Sequence, residues 1–245
     1  MGGRNLPLYV DLGFSLFKVG EEARVPLTSF TVLGNARKRL RRALRDAEQQ
    51  GITLEVVPPD GVGVILPELR RISGEWKRSK STREKGFSLG FFDEAYLRDC
   101  PVATIRQEGR MIAFTNLWSS DAREALSVDL MRHADDAPRG VMDFAFITRM
   151  KWGREQGYAW FNLGMAPLAG RERRALAPAW SRMMALVYAR GEHFYNFCGL
   201  RQYKEKFDPV WSPRYLASRG GLSVATTLLD VTSLVTGGLR GAIAK

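Results

Sequence analysis

Residues 127–168 read SVDLMRHADDAPRGVMDFAFITRMKWGREQGYAWFNLGMAPL, and the order of patterns inside this stretch decides the fold. A short run of alternating apolar residues comes first and predicts a strand. A turn bearing Asp135, Asp136, Pro138 and Gly140 follows. Apolar residues then recur at helical spacing, at Met142, Phe146, Met150 and Trp152, which predicts an amphipathic helix. That helix should stop near Gly157, a residue suited to a left-handed C-terminal cap. A second strand around Phe161 completes the unit. Strand, turn, helix and strand gather backbone N–H groups at a helix N-terminus, where an anion is favoured. Three polar residues stand where a core would ask for apolar ones: Asp129 and Arg132 at the end of the first strand, and Asn162 in the second. That combination reads as a site.

Upstream, strands are predicted at 102–107, 111–119 and 125–132, the first two joined by a Glu108-Gly109 hairpin turn. A short helix at 91–97 holds Asp93 and Tyr96, after a basic stretch at 77–90 and an amphipathic helix at 66–78 marked by Leu66, Leu69, Ile72 and Trp76. Residues 60–63 are the expected module boundary. Before them, 52–57 reads as a strand closed by Pro58-Pro59, and 8–32 as strand-like segments with a Gly-rich break. Such an early entry into a strand suggests a piece of something longer. Downstream, 177–190 reads as helical and 191–217, GEHFYNFCGLRQYKEKFDPVWSPRYLA, is dense in aromatic and basic residues. The tail 220–245 is apolar with few charges, a helix to lie on the domain or on a membrane surface.

The stretch 34–50, GNARKRLRRALRDAEQQ, predicts a helix with Ala36, Leu40, Ala43, Leu44 and Ala47 as its apolar stripe. Arg37, Lys38, Arg39, Arg41, Arg42 and Arg45 cover most of the rest, with no acid before Asp46. A merely solvated face usually carries i,i+4 partners. Their scarcity favours a surface for a phosphate backbone, with a solvated face as the alternative.

The order helix, three antiparallel strands, turn, helix, strand, helix, strand is that of a GNAT-type acyltransferase module. The opening hundred residues offer a partial version of it. The expected fold class is mixed α+β: tandem GNAT-like folds with mostly antiparallel central sheets flanked by helices, the first copy truncated. Residues 1–62 would be the partial first module, 63–219 the second module carrying the site, and 220–245 an amphipathic tail.

The 245 residues can bury one large core or two small ones. An apolar content of 45% and six Trp argue against disorder. The net charge of +11 points to polyanionic partners, nucleic acid or an anionic membrane. Two Cys and two His give no metal-cluster spacing, and no P-loop is present. No apolar run approaches the roughly 20 residues that span a bilayer.

Several motifs together carry a family resemblance. DLMR (129–132), PRGVMD (138–143), FNLGMAPL (161–168), FYNFCGLRQYKEKF (194–207), WSPRYLA (211–217) and EKGFSLGFFDEAYL (84–97) resemble the synthase domain of the aminoacyl-phosphatidylglycerol synthases, the multiple peptide resistance factor family. Matching segments run from about residue 8 to 217. The resemblance implies two tandem GNAT-like folds at the cytoplasmic face of the bacterial inner membrane, following an N-terminal multi-pass membrane region. It implies transfer of lysine or alanine from aminoacyl-tRNA to phosphatidylglycerol, which lowers the membrane's negative charge and its affinity for cationic antimicrobial peptides. No cofactor is implied; aminoacyl-tRNA is the donor. The turn at 135–140 has only one Gly, a poor pyrophosphate loop, which argues against acetyl-CoA.

Aminoacyl-tRNA is an activated ester, so moving its acyl group to a lipid hydroxyl is a transesterification. The reaction needs a group that orients or deprotonates the hydroxyl, donors for the developing oxyanion, and cations for phosphates. Asp129 can bind the substrate α-ammonium or help deprotonate the hydroxyl, and Arg132 can hold a phosphate; an ion pair at the strand end is the alternative. Glu192 is a second candidate for base or amine-binding group, and Asn162 for orienting substrate. Lys204, Lys206 and Arg214, interleaved with Tyr203, Phe207 and Trp211, suit a lipid phosphate and a stacked terminal adenine, with Arg201 as a further member. Arg37, Lys38, Arg41, Arg42 and Arg45 are the candidate tRNA-backbone contacts. A GNAT-like transferase acting on a peptide or protein amine, and a non-catalytic RNA- or membrane-binding module, remain the competing readings.

Overall fold

The computed structural model describes residues 1–80, 91–167 and 197–220, with 223, 226, 227 and 230 beyond them. Six α-helices and seven strands cover most of the described residues. In chain order they are α1 (Leu6–Asp11), β1 (Ser15–Pro26), α2 (Lys38–Gln49), β2 (Ile52–Val57), α3 (Pro59–Lys80), α4 (Glu94–Arg98) and β3 (Val102–Gln107). Then follow β4 (Arg110–Ser119), β5 (Ala125–His133), α5 (Val141–Glu155), β6 (Trp160–Pro167), α6 (Phe197–Glu205) and β7 (Val210–Ser218). The class is mixed α+β. Two compact units are present, a larger one built on Pro26–Phe161 and a smaller one on Met1–Val25 with Asn162–Thr227.

In the larger unit β2, β3, β4 and β5 pair antiparallel in that order. The β3–β4 hairpin turns through Glu108 (φ 49°) and Gly109 (φ 79°), both left-handed, as a tight two-residue turn requires. α3 and α4 cover one face, where Val62, Leu66, Leu69, Ile72 and Leu97 pack on Val102, Met111, Phe114 and Leu130. α2 and α5 serve the other, where Ala47, Val141, Phe144 and Ala145 pack with Ile52, Ile105, Ile112 and Ala113. Each fully buried Leu, Ile or Phe stabilises the fold by about 1.5–3 kcal/mol.

Strict alternation fails in β4, which is buried without a break from Met111 to Leu117. The register explains part of this run. Ile105 faces Ala113 whereas Arg106 faces Met111, so Ile112 is an extra residue, a β-bulge. Met111 and Phe114 thereby reach the α3 side, and Ile112 with Ala113 the α2–α5 side.

α3 starts well before the predicted 66–78 and runs through 60–63, so a boundary at 62/63 would fall inside a helix. Both Gly61 and Gly63 lie inside this helix and not in a linker, and Gly61 serves a close approach. A Cβ at Gly61 would lie 2.9 Å from Val57 Cγ1, and one at Gly63 2.8 Å from Arg98 Nη1. β2 on one side of that boundary also pairs with β3 on the other. Amphipathy was expected of α5, yet Val141, Phe144, Ala145, Phe146, Ile147, Arg149, Met150 and Gly153 are all buried, on nearly every side. Its N-cap, Gly140, is left-handed (φ 89°), and a Cβ there would meet Ala43 of α2 at 3.5 Å. Gly157 follows the helix with φ 81°, as the C-terminal cap expected of it.

In the smaller unit the strand order is β6-β1-β7. β1 and β7 pair antiparallel from Ser15↔Ser218 to Arg24↔Val210, with an irregularity between Lys18 and Gly20. The first part of the predicted 8–32 strand region is instead α1, entered through a Pro in its first turn, where a missing N–H does no harm. β7 carries Pro213 in mid-strand, a placement that an edge position tolerates. Residues 81–90, the predicted helix 177–190, Glu192 and most of the tail lie outside the described residues.

Candidate functional site

Asp129 owes its setting to a second bulge. Thr115 faces Met131 and Leu117 faces Val128, so Asp129 and Leu130 together stand opposite Asn116. Bulges often re-aim a side chain beside an active site. Here Asp129 turns to the α3–α4 side and accepts a 2.9 Å hydrogen bond on Oδ2 from the hydroxyl of Tyr96 in α4. The Tyr96 oxygen in turn accepts from Asn116 Nδ2 at 2.8 Å and from Trp118 Nε1. α4 is fixed by its own N-cap, since Asp93 accepts from the Tyr96 backbone N–H at 2.8 Å. Burial, then the hydrogen bond and charge of Asp129, push the Tyr96 phenol far above its ordinary pKa, so it remains a donor at any working pH. Burial likewise raises the Cys100 thiol, which leaves it protonated and a poor nucleophile. Asp99, Cys100, Pro101, Leu117, Trp118 and Ser119 line a shallow depression beside this network.

Arg132 lies two residues past Leu130 and is only 6% exposed. Its guanidinium stacks on Trp76 of α3, 3.8 Å from the ring centroid, and Nη1 donates to the Met131 carbonyl at 3.1 Å. Both members of the first predicted pair therefore reach the same helical layer, Asp129 through α4 and Arg132 through α3. Tyr96, Asn116 and Trp118 were not singled out from the sequence as site residues.

The smaller unit holds the other predicted residues. Asn162 Nδ2 donates to Glu22 Oε1 at 3.0 Å, while its Oδ1 accepts from the Gly164 N–H at 2.8 Å. Arg214 pairs with Glu22. Arg201 pairs with Glu21 at 2.7 Å, lies 4.2 Å over the Trp211 ring, and approaches Glu205 at 3.5 Å. Both arginines, expected among the phosphate-binding cations, thus already have carboxylate partners on β1. Burial alone would raise the Glu21 carboxyl, but the bonds from Lys18 and Arg201 outweigh it and hold it below the ordinary range.

Lys204 differs from its basic neighbours. It is 5% exposed, donates to the Met165 carbonyl at 3.0 Å, and no salt bridge to it is found among the described residues. Burial lowers its pKa from 10.5 to about 8. Lys206 rests 4.2 Å over the Tyr203 ring.

On α2, Leu40 and Ala47 are buried, while Lys38, Arg39, Arg42 and Arg45 are exposed. Arg42 reaches Asp46 at 3.4 Å, an i,i+4 pair on a face expected to be poor in such partners. Arg41 donates to the Val32 and Gly34 carbonyls, where it ties the preceding loop to the helix. Among the described residues, no group of three or more His, Cys, Asp or Glu is arranged to hold a metal ion. No helix among them is long and apolar enough to cross a membrane.

Residues 1–218 match the family model described as "Phosphatidylglycerol lysyltransferase, C-terminal". A phosphatidylglycerol lysyltransferase of Bacillus subtilis (strain 168) is 42% identical over 233 residues, which are 94% of this chain and 27% of that protein. The chain thus spans about a quarter of that relative's length. The structure of L-PGS from Bacillus licheniformis superposes with a TM-score of 0.80 at 41% identity, over 96% of this chain and 70% of that one. FemX shares the fold alone, with a TM-score of 0.56 at 10% identity over 92% of this chain and 70% of the other.

Proposed function

The chain belongs to the family of phosphatidylglycerol lysyltransferase C-terminal domains, and from that premise we propose that it transfers an aminoacyl group, lysyl foremost, from aminoacyl-tRNA to a hydroxyl of phosphatidylglycerol. An alanyl donor is the second possibility on the same chemistry. The observation that carries the reading is the Asp129 carboxylate, presented from a β-bulge and gripped by a neutral phenol. Such a group can orient the attacking hydroxyl and receive its proton. The lipid oxygen bonds to the ester carbonyl carbon, the bond to the terminal ribose oxygen breaks, and that oxygen leaves protonated. Lipid in place of RNA as the ester's alcohol makes the headgroup less negative, and the membrane then attracts cationic peptides less.

The remaining roles follow from charge and burial. Lys204 and Lys206 supply positive potential for phosphate, Lys204 from a buried position where its field is least screened. Arg201 and Arg214 hold Glu21 and Glu22 in place and lend phosphate binding only what those partners leave. Asn162 orients substrate through the same Glu22 contact. Arg132 offers the edge of a guanidinium otherwise packed on Trp76. Glu192 stays a candidate second acid. We assign the whole protein an N-terminal membrane region and a site at the cytoplasmic face of the bacterial inner membrane, where both substrates meet.

The direct test incubates the domain with radiolabelled lysyl-tRNA and phosphatidylglycerol vesicles. Label in the organic phase is the expected result. Label reaching only an added peptide amine would put the chain with peptide-directed transferases, and binding without turnover would make it a non-catalytic module.

The exposed face of α2 is assigned to the tRNA backbone. Reversing Lys38, Arg39 and Arg45 to Glu is expected to weaken tRNA binding and to flatten its salt dependence. The flattening should be roughly 0.9 log units per log unit of salt for each phosphate that the protein no longer neutralises. The melting temperature should hold, because all three side chains are exposed. A salt slope equal to wild type would mean a solvated face and nothing more.

A further inference from the structure

We propose that Tyr96 and Asn116 are positioning residues that aim the Asp129 carboxylate, an assignment that rests on the role given to Asp129 above. The bulge displaces the ladder partner of the Leu130 N–H, and the Asn116 side chain replaces it, accepting that N–H on Oδ1 at 2.7 Å. With Oδ1 so engaged, the amide nitrogen points the other way and donates to the Tyr96 oxygen. Trp118, two residues along β4, donates to the same oxygen. A phenol has two lone pairs and one proton. With two N–H groups on the acceptor side of the oxygen, its proton is directed to Asp129 Oδ2.

The carboxylate is thus gripped by a donor whose own orientation is fixed from two sides. Asn116 is fully buried and cannot swing away, and the Asp93 cap with the buried Leu97 anchors the helix that carries the phenol. The bulge creates the position of Asp129, Asn116 stabilises the bulge, and Tyr96 converts that stability into a direction. A group that receives a proton must be held to a fraction of an ångström, and a misplacement of about 1 Å can lower turnover about a hundredfold.

The test measures steady-state transfer from lysyl-tRNA to phosphatidylglycerol vesicles by the full chain, with thermal midpoints, for wild type, Tyr96→Phe, Trp118→Phe, Asp129→Asn and the Tyr96→Phe/Asp129→Asn double variant. Tyr96→Phe keeps the ring and is expected to lower kcat about 10- to 100-fold with the KM for the donor within about twofold. Trp118→Phe removes one of two restraints on the phenol and should lower kcat less, about two- to fivefold. In the double variant the Tyr96 change should add nothing to the Asp129 effect, since both act through one carboxylate. Full turnover by Asp129→Asn would sink the function proposed above, whatever Tyr96 does. Loss of turnover in Asp129→Asn beside a wild-type kcat in Tyr96→Phe would overturn the positioning role alone. So would effects that multiply in the double variant, or a fall in kcat that only tracks a fall in folded protein.

Discussion

Asp129→Asn is expected to lower aminoacyl transfer by about 10²- to 10⁴-fold, the range a proton-handling side chain contributes, while the melting temperature stays near that of wild type. Asparagine has nearly the same shape as aspartate and keeps an acceptor oxygen for the Tyr96 hydroxyl, so the contact that organises this corner survives. What disappears is the negative charge and with it the capacity to take a proton. The substitution therefore separates chemistry from fold more cleanly than truncation to Ala, which would leave the phenol proton without its acceptor. Near-normal turnover in a folded Asp129→Asn would show that the bulge presents a structural carboxylate.

Much of the frame around Asp129 was legible because its cues are local. The strand runs at 102–107 and 125–132, the Glu108-Gly109 turn and the Gly157 cap each act within a few residues, and each element formed close to its predicted limits. The bulges left no such trace. The extra residue Ile112 is apolar like its neighbours, the charge of Asp129 does not by itself signal a bulge, and only pairing with the next strand shows that the register has slipped. Gly61 and Gly63 mislead for the opposite reason. Glycine signals both a loose linker and a close approach; both residues lie inside the unbroken α3, and the tight contact of Gly61 with Val57 shows a close approach there.

The site was half legible. Asp129, Arg132 and Asn162 drew notice as polar residues in strands, a conflict visible in one dimension. Their partners were hidden by distance along the chain. Tyr96 is 33 residues from Asp129 and 20 from Asn116, and Glu21 and Glu22 are 180 and 192 residues from the arginines they pair with. A sequence reading counts Arg201 and Arg214 as available cations, because the carboxylates that occupy them sit at the other end of the chain. Lys204 shows the converse, a lysine in a basic run that folding removes from water.

Lys204→Met should abolish or severely reduce transfer and yet raise stability at pH 7. Lys204 is 5% exposed with a carbonyl as its acceptor, and burial lowers its pKa from 10.5 to about 8. Below pH 8 the native state must hold a charge that the unfolded chain holds more easily, a penalty of about 3 kcal/mol at about 1.4 kcal/mol per pKa unit. Between pH 8 and 10.5 the unfolded state binds more protons than the native one, so wild-type stability from this group rises with pH across that window. Methionine fills similar volume without a charge and loses only the hydrogen bond to Met165, about 1 kcal/mol. The net gain at pH 7 is about 2 kcal/mol, or roughly 4–8 °C in melting temperature for a chain of this size. That gain should shrink above pH 8 and be gone near pH 10.5, because deprotonation of the wild type removes the same penalty. Thermal scans at pH 7, 9 and 10.5 beside the transfer assay check both halves. A less stable Lys204→Met at pH 7 would mean that the ammonium is well solvated where it sits, and an active one would remove Lys204 from the reaction. An inactive, more stable protein would identify a charge that the fold tolerates at a loss because the chemistry needs it.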